Sequence, residues 1–82
     1  MTVVLHDANC IRLIGACPVD DGETLLQLLL ANPAAEIDWR GCESAHASVI
    51  QVLFVAKRPL KGPPAGAFLN HFISPALLQG DE

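Results

Sequence analysis

The chain has 82 residues, enough for one small domain spanning 1–82 with a thin core. It is 51% apolar and only 17% charged, which excludes a disordered chain. The same apolar excess admits an exposed patch, and with it a homodimer or a partner surface. Five Lys+Arg against nine Asp+Glu leave a net charge of −4 and no basic stripe, which excludes nucleic acid as a partner class.

Thr2 to Leu5 is β-branched and apolar, the pattern of a short strand. A turn at His6-Asp7-Ala8-Asn9 leads to a second strand, Cys10 to Ile14, which ends at Gly15. The two read as an antiparallel hairpin. Asp20-Asp21-Gly22-Glu23 opens a helix, with Asp20 as N-cap and Glu23 three residues on in a capping-box arrangement. The helix runs to Ala31, and Asn32-Pro33 ends it because the residue before proline resists the α conformation. Its apolar arc is wide, so it is expected to pack on a sheet over much of its surface, with Leu25 to Leu30 in the core.

Ala34 to Trp39 reads as a short central strand, and Gly41 as the residue of a sharp turn after it. From Ser44 to about Lys57, the residues Ala45, Val49, Val52, Leu53 and Ala56 fall on one helical face. Ser44, Ala47, Ser48, Gln51 and Val55 lie toward the other side. Lys57-Arg58 suits the negative end of that helix as a solvated pair, and Pro59 stops it. The segment 59–66 is loop-rich with at most one short edge strand around Leu60. A last helix is expected over Ala67 to Leu78, bent by Pro75, with 79–82 as a frayed tail. The order is ββαβα(β)α, an α/β fold in which a small mixed sheet carries helices packed on it.

Three cysteines, Cys10, Cys17 and Cys42, are an odd number without a Cys-x-x-Cys pair, so no disulfide framework is expected. The opening Met-Thr-Val-Val-Leu-His-Asp lacks a basic region followed by an apolar run, and the longest apolar run, Val52 to Ala56, is too short to span a bilayer. The expected compartment is the cytoplasm, with no membrane insertion.

The most informative stretch is Glu36 to Leu53, a strand end, a loop and a helix start with small polar side chains at the junction. Asp38-Trp39-Arg40-Gly41 followed by Ser44-Ala45-His46-Ala47-Ser48 and the apolar Gln51-Val52-Leu53 resembles the core motif of the STAS family. These are the sulfate-transporter and anti-sigma-factor-antagonist domains. The resemblance sets Asp38 to Gly41 at the family's Asp-Leu-Ser-Gly strand end. It sets His46 at its helix-start Asp, Ala47 at its Ser/Thr phosphoacceptor and Val49 at its usual Gly. It implies a STAS fold and a bacterial partner-switching role against an anti-sigma factor or signalling kinase. The chain departs from the family at position 47, where alanine has no hydroxyl to phosphorylate. The switch that adds roughly two negative charges at a partner-facing helix start therefore cannot operate there. The accessory subunit of a membrane transporter complex is the alternative that the same resemblance allows.

Weighed residue by residue, the partner-binding candidates are Trp39, Ser44, His46, Ala47, Ser48 and Gln51. Ser44 is read first as the helix N-cap, and Ser44 and Ser48 are also candidate phosphorylation sites. Trp39 is either an interface anchor or a cover for the sheet edge. Asp38 is read as a strand-end carboxylate capping the following loop. Cys42-x-x-x-His46 is compatible with a helical metal pair or a thiol nucleophile with its base. Neither a four-ligand spacing nor an oxyanion signature completes it, so no metal, cofactor or catalysis is expected.

Overall fold

The computed structural model describes residues 2–79. Strand β1, Val3–Asp7, pairs antiparallel with β2, Cys10–Cys17, and the two-residue turn between them is closed by the Asn9 N–H donating to Asp7 Oδ1 at 2.7 Å. Helix α1, Asp21–Ala31, crosses to β3, Glu36–Ala45, which lies parallel to β2. Helix α2, Ala47–Ala56, crosses to the two-residue β4, Leu60–Lys61, parallel to the start of β3. The sheet order is β1-β2-β3-β4. The chain closes with a π-helical turn, Leu69–Ile73, running into α3, Ser74–Gln79. This is the expected α/β architecture of a small mixed sheet with helices packed on it.

Along β2, Ile11, Leu13 and Cys17 are buried while Arg12, Ile14 and Ala16 are exposed, the alternation of a sheet covered on one face. Ile37, Trp39 and Cys42 of β3 join them in the core with Leu25, Leu29, Val49, Leu53, Leu69 and Leu77. Alternation alone would not put both Trp39 and Cys42 inside. Between them the register slips, Arg12 opposing Asp38 but Ile14 opposing Gly41, and the extra residue in β3 resets the phase.

That slip corrects the expected boundary. Gly41 is not a sharp turn after a strand ending at Trp39; Trp39-Arg40-Gly41 is a bulge inside a ten-residue strand. Asp38 holds the bulge, its Oδ1 accepting from the Arg40 N–H at 3.1 Å, an Asx-type bond that a turn would also have used. Pairing with β2 on both sides of the bulge outweighs the local turn signal. Ser44 and Ala45 are consequently strand residues and α2 begins three positions later than expected.

The helix starts differ too. Asp20 lies at the N-cap of α1 but makes no side-chain cap bond, since its backbone is already helical (φ −68, ψ −18). Asn32 ends α1 as expected, with its Nδ2 donating back to the Leu28 carbonyl at 2.9 Å. Only one side of α1 meets the sheet: Leu25 and Leu29 are buried, whereas Leu26 and Leu30 are exposed, narrower packing than the leucine run suggested. The last helix changes from π to α winding at Ser74, just before Pro75, and the Ser74 N–H reaches Leu69 O in the wider π pattern. Of the expected frayed tail, Gln79 closes α3, and 80–82 lie outside the described residues.

Candidate functional site

The junction of β3 and α2 is organised by His46 rather than Ser44. His46 is the N-cap, in extended backbone (φ −62, ψ 154), and its Nδ1 accepts from the Ser48 N–H at 3.1 Å. Its carbonyl accepts from the Val49 and Ile50 N–H groups, and its own N–H donates to Cys17 O at 2.9 Å. Imidazole caps in place of serine because the strand continues through Ala45, leaving His46 as the first residue free to turn. The bond requires Nδ1 to be unprotonated, so a neutral ring carries its proton on Nε2.

Ser48, one step into the helix, is drawn inward. Its hydroxyl donates to the Val19 carbonyl at 2.8 Å and lies 3.2 Å from His46 Nδ1. Gly22 of α1 packs directly beneath it: a Cβ there would stand 2.8 Å from Ser48 Oγ and 3.0 Å from the Ser48 backbone carbon. Glycine is therefore what lets the two helix starts touch. Ser44, by contrast, is an exposed strand residue opposite Ala16, and its carbonyl receives the Cys42 thiol at 3.5 Å.

Ser44, His46, Ala47 and Gln51 are thus all exposed at this junction, with Ser48 half-buried among them. Trp39 is not part of it. Its side chain is 2% exposed on the helix-covered face, walled by Leu60, Gly62, Pro63 and Ser74, so it cannot serve as an open interface anchor. Of the two candidate phosphorylation sites, Ser44 is the accessible one. The Ser48 hydroxyl would have to leave Val19 O and its seat over Gly22 to accept a phosphoryl group.

Cys42 and His46 are not assembled as a pair. Cys42 is fully buried, its Sγ 4.0 Å from Cys17 Sγ, and burial pushes its thiol up to about 12. Cys17 is also shifted up, by burial first. A thiol held protonated is a poor nucleophile and a poor ligand, and the His46 nitrogen facing the protein is occupied by the cap. All three cysteines are free and buried. Among the described residues no group of three or more His, Cys, Asp or Glu is placed to hold a metal ion.

Two features escaped the sequence reading. Arg58, read as half of a solvated pair, folds back onto α1. Its Nη1 donates to Asn32 O at 3.1 Å and Ala35 O at 2.9 Å, and its Nη2 to Leu29 O at 2.9 Å. It satisfies carbonyls at the helix end with a charge of the favourable sign. Lys61 likewise pairs with Glu36 at 2.9 Å. The second is the contact of Gly22 with Ser48, whose only sequence signal is a glycine in the first turn of a leucine-rich helix. On the uncovered face, Arg40 grips Asp38 through Nε at 3.0 Å and Nη2 at 2.8 Å. These side-chain hydrogen bonds hold the Asp38 carboxyl down at about 2.

Comparison of the chain with protein-family models, curated proteins and solved structures returned no match. No helix among the described residues is long and apolar enough to cross a membrane.

Proposed function

We propose that this protein is a STAS-like, non-catalytic binding module of bacterial signalling. Its partner is a kinase-like regulator of the anti-sigma-factor type, met in the cytoplasm through Ser44, His46, Ala47 and Gln51. The observation that carries this reading is the start of α2. Ser44, His46, Ala47 and Gln51 stand exposed around a helix N-terminus whose capping bonds are made to groups of the protein itself, so a partner backbone can approach closely without breaking them. The β-α-β-α-β order from β2 to β4 supports it as well, since the resemblance sets the family's binding surface at this same strand-to-helix junction.

With alanine at 47, binding is constitutive rather than phospho-switched at that position. The non-catalytic reading rests on the buried, protonated Cys42 and its separation in role from His46. Affinity capture from the source cells tests the proposal, with wild type beside Ala47→Asp. Recovery of one ATP-binding kinase-like protein by wild type, and its loss from the variant, supports the site. Equal recovery by both refutes it.

A further inference from the structure

Helices α1 and α2 leave an apolar surface between them that the core does not cover and that, of the proposed contact residues, only Gln51 lines. A groove of about 570 Å³ runs between α1 and α2, floored by Leu29, Val52 and Ala56 and walled by Leu26, Leu30 and Val55. Leu30 and Val55 are each 73% exposed, and Leu26 is 43% exposed. Large aliphatic side chains on an ordinary helix surface are single and scattered; here they form two facing stripes. On α1 the stripe is Glu23, Leu26, Leu30, and on α2 it is Ser48, Gln51 or Val52, Val55, each spaced by one helical turn.

The groove has a direction. The two helices start together, where Gly22 meets Ser48, and finish together, where Arg58 reaches the carbonyls of Leu29 and Asn32. At the start Glu23 lines the groove, with Asp20 and Asp21 just before it in the chain. At the finish Arg58 lines it, bound to the α1 carbonyls, with the exposed Lys57 beside it. One end is therefore acidic, the middle apolar and the other end basic. A surface with that polarity is complementary to itself when reversed. A second copy laid on it about a two-fold axis sets its basic end against the first copy's acidic end, twice, with the leucines and Val55 closing on one another between them.

We infer that the α1–α2 groove is a homodimer interface, occupied by the same groove of a second copy with the helices antiparallel. Helices of 11 and 10 residues make a footprint about 16 Å long at 1.5 Å per residue. Two side by side bury on the order of 500 Å² per copy, about 1,000 Å² in all, the lower bound for a specific interface. The dimer is accordingly weak and salt-sensitive, with a Kd of roughly 10–100 μM at moderate ionic strength. The groove is distinct from the kinase-like partner's contact: Ser44, His46 and Ala47 do not line it, and only Gln51, with the half-buried Ser48, is shared.

Sedimentation equilibrium of the full chain over a concentration series tests it. Wild type should show a reversible monomer–dimer equilibrium. Leu30→Glu should be monomeric at every concentration with an unchanged far-ultraviolet circular dichroism spectrum, because Leu30 contributes little to the core. Glu23→Lys should raise the dimer Kd about fivefold, and Glu23→Lys combined with Lys57→Glu should bring it back to within about twofold of wild type. A wild type that stays monomeric at sub-millimolar concentration overturns the inference. So does a dimer that survives Leu30→Glu, or a charge swap that fails to restore the Kd, either of which gives the groove to a different occupant.

Discussion

The two ends of α2 are held by opposite means. The amino-terminal end is fastened by small groups at short range: His46 Nδ1 on its own helix, the Ser48 hydroxyl on Val19 O, and a glycine in place of a side chain beneath. The carboxy-terminal end is fastened by one long cation, Arg58, which spans three carbonyls after Lys57 turns the chain in the left-handed region (φ 52, ψ 42). The first arrangement leaves Ser44, His46, Ala47 and Gln51 exposed, whereas the second covers the helix end with the protein's own charge.

The largest effect expected at either end is from Arg58→Ala. Three charge-assisted hydrogen bonds to carbonyls vanish together, at a cost of about 3 kcal/mol in urea unfolding. Arg58→Lys should recover only part of it, because an ammonium cannot present the guanidinium fork. Next comes Gly22→Val, which forces the helix starts apart by overpacking against Ser48 and costs about 2 kcal/mol. If Gly22→Val proved neutral, the close approach of the two starts would not be what sets the surface.

His46→Ala removes a cap and should cost about 1 kcal/mol, whereas Ser44→Ala should cost nothing measurable. The reverse order would return the N-cap to Ser44. The uncovered face of the sheet supplies a reference that touches neither end. The folded Asp38 carboxyl is held at about 2, below its ordinary 3.8, so its contribution is complete above pH ~4. It is lost as pH falls through about 2. Allowing for screening around the exposed Arg40, it amounts to about 1 kcal/mol, and Asp38→Asn should abolish that acid-side loss.

How much of this was legible in the sequence follows the range of the interactions. The Asn32-Pro33 stop stands where its local signal put it, whereas the hairpin strands run further than their local signals, β1 to Asp7 and β2 through Gly15 to Cys17. The short strand at Leu60 forms as expected, although its partner Ile37 lies far back in the chain. The turn at Gly41 was misread because an Asx bond from Asp38 serves a bulge as well as a turn. Only the strand beside it decides which. The longer strand, running to Ala45 instead of Trp39, then moved the cap from Ser44 to His46. Trp39 could be assigned to core or interface only once the 62–63 segment and Ser74 were placed around it. Arg58 was illegible for the same reason: its acceptors lie 23 to 29 positions away. Ser44, His46, Ala47 and Gln51 are all exposed, and these corrections leave that unchanged.

The measurement that tests the central claim most directly is binding of the captured partner to Ala47→Asp, followed by calorimetry, with unfolding measured on the same sample. An aspartate in the first turn of α2 favours the helix dipole, so stability should hold or rise by about 0.5 kcal/mol. Partner affinity should nevertheless fall at least tenfold, because the charge sits where the partner must approach. Undiminished affinity in a normally folded Ala47→Asp protein would contradict the account and move the binding surface away from the start of α2.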